Sequence, residues 1–365
     1  MSHSRSTDQT TVMIKPARIA SMDQLRGYAI FGMIVVNYLG HFDFMPAILS
    51  HHKDAASYAD SIAPLFVFVV GMGFRLSLKR RIERSGLAKA RWEALKRYLT
   101  LFLVGIVFYG PNMRIDWWDA LVDIALAGII ALPFIDKSVT TRAVAAFAFL
   151  GLFTFFLHYT GPGVQFTYDG TAYSGYGEWL SKKSMNGGPL GPISHAFILL
   201  MGTIAYDLLM TGDSKKIITW SAVCAVGLCA LSGVAWKLTP ADFAPYADHG
   251  QWWSYSHRWA AAPSQLFHTG LAFLAFLIFY VTCDLYKFNF PTLSIVGENP
   301  LVIYLLQYSL LAINGSYLGE ALEKTKLADA TTWSYLLAMA GFSVFYWFNF
   351  AAAKRLHDQG YIIKL

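Results

Sequence analysis

Stretches of roughly 20 mainly apolar residues, each long enough to cross a bilayer as a helix, recur along the whole chain between short polar connectors. They fall near 27–45, 61–79, 98–113, 118–135, 141–159, 193–210, 217–236, 264–284, 294–314 and 332–352. The pattern predicts an all-α, polytopic membrane bundle of about ten helices. The third window is short and ends at Gly110-Pro111, and 45–60 has room for a re-entrant turn, so eleven crossings are also compatible with it. Residues 1–20 and 354–365 read as polar tails flanking one transmembrane unit, 21–353, and no cleavable signal is expected, because residues 1–18 have no apolar core.

Composition agrees: 55% of the 365 residues are hydrophobic, 16% aromatic and only 14% charged, more apolar surface than a soluble fold of this size would bury. Charge then orients the bundle. With the N-terminus inside, 21 of the 29 Lys and Arg fall in cytoplasmic segments, nine of them between 75 and 97, so both termini are expected in the cytoplasm. The net charge of +6 is thereby an orientation signal and does not imply nucleic acid. The run Lys79-Arg80-Arg81 with Arg84, Lys89, Arg91, Lys96 and Arg97 could anchor the inner face, hold anionic headgroups or meet a cofactor's phosphates. Membrane lipids are the first expected partners.

On this topology eight of the ten histidines (41, 51, 52, 158, 195, 249, 257 and 268) and eight of the eleven tryptophans map to the outer side. An interfacial aromatic belt should occupy both faces, so a one-sided distribution suggests a sugar-stacking surface; Trp117 and Trp252 are its candidate residues, in loops that also carry many tyrosines. Cys224, Cys229 and Cys283 lie in or at the inner ends of helices, so neither a disulfide nor a zinc framework is expected. His51-His52 with Asp54 and Asp60 lacks the spacing of a metal site, and the better use of such an imidazole is as general base or acid.

Asn37 closes the apolar part of the first helix, where it serves either as a hydrogen-bond donor to a reacting carbonyl or as a helix–helix contact. Asp60 and Arg114 could hold a sugar or each other. Asp119 and Asp123 share a helix face, and Asn299, beside Glu298 in an apolar helix, needs a partner or a substrate. Asp23 and Arg26, three apart, can pair across one turn or meet a cofactor's phosphates.

Met22-Asp23-Gln24-Leu25-Arg26-Gly27, running on to Val36-Asn37-Tyr38, resembles the first helix of the transmembrane acyltransferases related to heparan-α-glucosaminide N-acetyltransferase. The next stretch of chain is similar to that family as well, with His51 or His52, then Ala59-Asp60, Pro64, Phe66, Phe68 and Gly71. The segment Asn112-Met113-Arg114-Ile115, the helix opening at Gly188-Pro189-Leu190-Gly191-Pro192, and Gly297-Glu298-Asn299-Pro300-Leu301 with Tyr304 are similar to its later motifs. The Trp-Asn/Asp-Gly that usually follows the histidine is absent, and Asn186-Gly187-Gly188-Pro189 replaces an Asp-Pro-Glu-Gly turn.

The resemblance implies an acetyl- or acyltransferase that takes its acyl group from acetyl-coenzyme A, a co-substrate on the cytoplasmic side, and passes it to an amino sugar or other glycan outside. It implies a bacterial inner membrane with the acceptor side facing the periplasm, and a homodimer as a candidate assembly. A histidine of the 51/52 pair would be base or acyl carrier, with Asn37 beside it; Asp60, Arg114, Asn299, Trp117 and Trp252 would hold the acceptor, and Asp23 and Arg26 the cofactor. Two other readings are compatible with the pattern: a polysaccharide O-acyltransferase of the other integral-membrane type, for which His41 would be the essential histidine, and a secondary transporter of a sugar or glycolipid.

Overall fold

The computed structural model describes residues 19–52, 54–109, 118–159, 166–168, 170–173, 179–180, 186–239, 250–311 and 331–363. Among them are eleven helices of eight residues or more: α1 Ala20–Leu39, α2 Tyr58–Ser85, α3 Leu87–Tyr109, α4 Ala120–Ala131, α5 Val139–Tyr159, α6 Gly191–Leu209, α7 Ser214–Leu238, α8 Ala262–Phe279, α9 Pro291–Glu298, α10 Pro300–Leu311 and α11 Thr332–Asp358. A π-helical turn, Tyr280–Leu285, prolongs α8, and a small hairpin pairs Phe166–Tyr168 with Thr171–Tyr173. Among the described residues the protein is all-α apart from that hairpin.

Each apolar window coincides with helix among the described residues, and the differences lie at the ends. Helices α2 and α3 run on into polar sequence and meet at Gly86, whose φ of +79° makes the tight turn between them. The ninth window is two helices, because Pro300 disfavours a helical Asn299, whose φ of −123° and ψ of 61° break the run. Six helices (α2, α5, α6, α7, α8 and α11) are long and apolar enough to cross a membrane. Large apolar side chains stand exposed along them, among them Phe147 and Phe155 on α5, Val226 and Val234 on α7, and Leu336 and Phe348 on α11. In water such faces would be unfavourable; in lipid they are the solvated surface. The chain is an integral membrane protein.

Two large packed groups and a smaller third one, Trp253 and Trp259 with Phe153, Leu157 and Leu180, form the core. In one, α2 and α6 lie at the centre with α4, α5, α7 and α8 around them; in the other, α1 packs on α9, α10 and α11. The α2–α6 contact is close because glycines meet carbonyls reciprocally: a Cβ on Gly71 would strike the carbonyl of Leu199, and one on Gly202 that of Phe68. At the end of α2 farther from Tyr58, fully buried Arg142 reaches Asp207 and donates to Thr203 Oγ1 at 2.7 Å, while Arg75 donates to Asp207 at 3.0 Å and to the Ile135 carbonyl at 2.6 Å. These bonds tie α2, α5 and α6 together.

Candidate functional site

The first turn of α2 creates the central feature. Ser57 is its N-cap and accepts the Asp60 N–H at 3.2 Å, while Asp60 Oδ2 accepts from the Ser57 N–H at 3.0 Å and from its hydroxyl at 2.9 Å. The remaining oxygen, Oδ1, lies 2.9 Å from His51 Nδ1. Asp60 is 2% exposed and the His51 ring 56%. A carboxylate offers only acceptors, so neutral His51 carries its proton on Nδ1 and presents Nε2, unprotonated, to the outside. A buried carboxylate orienting an accessible imidazole is the arrangement of a general base.

His52 is used differently. Its Nε2 donates to the Ala47 carbonyl at 2.7 Å, and its own carbonyl accepts from the Ser256 hydroxyl. Ser50 donates to the Gly40 carbonyl at 3.1 Å, which ties the loop back to the end of α1. The side chain of half-buried Asn37, on the last turn of α1, makes no hydrogen bond with the described residues and is free to donate.

Other elements bring polar groups to the same end of the bundle. Asp119 caps α4, accepting from the Ala120 N–H at 2.7 Å and the Tyr308 hydroxyl at 3.3 Å, and Tyr109 and Tyr304 join hydroxyls at 2.7 Å. His195, His257 and His268 are all buried, with ring centroids 5.7 Å and 6.3 Å apart in that order. His195 is held through the Gly191 carbonyl at 2.9 Å and His268 through the Ser264 hydroxyl at 3.1 Å. Burial, reinforced by His195, His268 and His51, holds the His257 imidazole well below its ordinary pKa and keeps it neutral. His257 Nδ1, His268 Nε2 and both amide atoms of Gln265 are buried without partners among the described residues. Orphaned groups of this kind cost about 1–3 kcal/mol each.

Beside it is an aromatic platform. Trp252, 45% exposed, stacks on Trp236 with centroids 4.3 Å apart and planes 3° from parallel, and Tyr255 adjoins it at 5.8 Å. The bond from Ser256 to the His52 carbonyl joins this turn to the histidine loop.

Other sequence candidates lie elsewhere. Arg26 donates to Asp23 at 2.7 Å and to the Gly297 carbonyl, on the second turn of α1 and thus about 20 Å along the helix from its far end. Asn299 belongs to that end too: it donates to the Tyr361 carbonyl at 3.0 Å and accepts from the Ile363 N–H at 2.8 Å, so the structure does not bring it to His51. Arg114 and Trp117 lie outside the described residues. The gathering of His195, His257, His268 and Gln265, and the link from Tyr308 to Asp119, were not foreseen. Only the one-sided histidine distribution hinted at them.

A helical integral membrane protein with a carboxylate-oriented histidine, a polar interior and an exposed aromatic stack at one end is the class that fold and site define. Residues 18–234 match the model of the heparan-alpha-glucosaminide N-acetyltransferase catalytic family, and the chain belongs to that family. It is 32% identical over 126 residues to an uncharacterized 39.9 kDa protein of the amylase 3′ region of Bacillus acidopullulyticus, covering 32% of this chain and 34% of that one. Over 104 residues it is 32% identical to human heparan-alpha-glucosaminide N-acetyltransferase, covering 27% of this chain and 14% of that enzyme. The family match includes Asp23, Arg26, Asn37, His51, His52 and Asp60, whereas Trp252, His257, His268 and Asn299 lie beyond it.

Proposed function

We propose that this chain is a membrane acyltransferase that moves an acetyl group from acetyl-coenzyme A to an amino or hydroxyl group of a sugar, with His51 as the general base. One observation carries the reading: a buried Asp60 carboxylate orients an accessible imidazole within the family-matched segment. His51 Nε2 removes the proton of the acceptor amine or hydroxyl as that group bonds to the thioester carbonyl carbon. Asn37 donates to the developing oxyanion. As the carbon–sulfur bond breaks, His51 returns its proton to the sulfur, leaving coenzyme A as the thiol. Asp60 stabilises the imidazolium formed in between.

A sugar ring resting on Trp252 and Tyr255 is adjacent to the histidine loop, since Ser256 binds the His52 backbone. The charge distribution supports an orientation with this end facing the periplasm and coenzyme A arriving from the cytoplasm, where Asp23 and Arg26 are proposed to meet its phosphates. His52, committed to the Ala47 carbonyl, positions the loop.

The direct test is transfer of labelled acetyl from acetyl-coenzyme A to a panel of amino sugars by the purified full chain. His51→Ala should lower the rate by about 10²–10⁴ while leaving coenzyme A binding nearly intact, and His52→Gln should retain more than a tenth of the rate. The reverse ranking would transfer the role to His52, and no acetylation of any acceptor would remove the reading.

A further inference from the structure

At the corner where α2 turns into α3, Arg81, Arg84, Lys89, Lys96 and Arg97 line an open groove of about 750 Å³, against the single carboxylate of Glu93. This is the end of α2 farthest from Asp60. Arg81 lies 3.8 Å from Glu93; the other four cations have no carboxylate partner among the described residues. Their neighbours are spent differently. Arg75 and Arg142 bind Asp207, and Arg91 binds Asp136 at 2.6 Å, each adding backbone carbonyls and each fastening helices together. A charge bias that only oriented the chain would not require four cations without carboxylate partners to converge on one concavity.

Below the groove the surface changes character along one side of α3. Leu99, Leu103 and Val107, at spacings of four, are 42%, 60% and 83% exposed and lead away from Lys96 toward the middle of the helix. Trp92, exposed one turn before Lys96, has that ammonium 5.9 Å from its ring, as an interfacial anchor would. The opposite side of α3 is occupied: Gly105 packs on Leu121 and Val122, and Tyr98 lies over Gly128. Cations above an exposed apolar track match an amphiphile with a negative head. A soluble nucleotide would use the groove and leave the track unused.

We propose that the α2–α3 corner is a binding site for an anionic phospholipid, its phosphate held by Arg84, Lys89, Lys96 and Arg97 and an acyl chain lying along Leu99, Leu103 and Val107. The site stands apart from the His51 loop and holds whatever reaction occurs there.

Native mass spectrometry of the detergent-solubilised full chain, titrated with phosphatidylglycerol, cardiolipin or phosphatidylcholine, tests it. The anionic lipids should be retained at least tenfold more tightly than phosphatidylcholine. The triple variant Arg84→Gln, Lys96→Gln, Arg97→Gln should lose between about ten- and a hundredfold of that preference, as expected for three cations near a headgroup. Control substitutions Lys215→Gln, Lys216→Gln and Arg355→Gln remove the same charge elsewhere and should leave it intact. Melting in neutral detergent reports whether each variant is folded. Equal retention of all three lipids, or equal losses in groove and control variants, would overturn the site. Displacement of the lipid by inorganic diphosphate at comparable concentration would overturn the amphiphile and leave a phosphate site.

Discussion

At the scale of single residues, the site depends on which of two adjacent imidazoles is free. The sequence sets His51 and His52 side by side and cannot rank them, because their partners are a carbonyl four residues before the pair, that of Ala47, and a carboxylate nine residues after His51, that of Asp60. Ser57 and Asp60 form the capping box that starts α2; that the same carboxylate also orients an imidazole depends on how the loop folds back. If Asp60 serves the imidazolium as proposed, Asp60→Asn, which keeps size and one acceptor but loses the charge, should cut transfer by roughly 10²–10⁴. Coenzyme A affinity should change little, because Asp60 acts through His51. Titration calorimetry alongside rate measurement separates the two effects, and equal losses in both would make Asp60 a structural cap.

At the scale of elements, apolar windows located helices well and their ends poorly. Hydropathy reports where lipid contact is tolerated, so it stops short where α2 continues through Arg84 and α3 begins at Leu87, both held by backbone bonds outside any apolar run. The break at Asn299, which Pro300 causes, was hidden by the continuous apolar pattern. Close helix approach was equally invisible: Gly71 and Gly202 look like other glycines until their facing carbonyls are seen. Gly202→Ala should therefore destabilise the α2–α6 pair by about 1–3 kcal/mol, read as a lower melting temperature in detergent. Gly227→Ala, whose added methyl meets nothing within 4 Å, is the control and should leave melting unchanged.

At the scale of the whole molecule, long-range folding assembles what no local pattern shows. His195, His257 and His268 come from α6, a turn and α8, and one-sidedness was all that could be read of them in sequence. Their burial has a pH consequence. The folded pKa of His257 lies well below its unfolded value of about 6.5, so between the two the unfolded chain binds more protons. Its contribution to stability is complete above about pH 6.5 and is lost as pH falls toward the folded pKa. The melting temperature should decline from pH 7 to pH 5, and less steeply in His257→Gln; an unchanged slope would assign the decline to other groups. A last consequence concerns α2 as a ruler. One continuous helix of 28 residues, about 42 Å at 1.5 Å per residue, carries the Asp60 turn at one tip and the Arg84 corner at the other. A hydrocarbon layer is about 30 Å thick, so the two tips cannot both lie within it unless the helix tilts or the bilayer deforms. The spacing between the two ends is thus a fixed length to which the surrounding membrane must adjust.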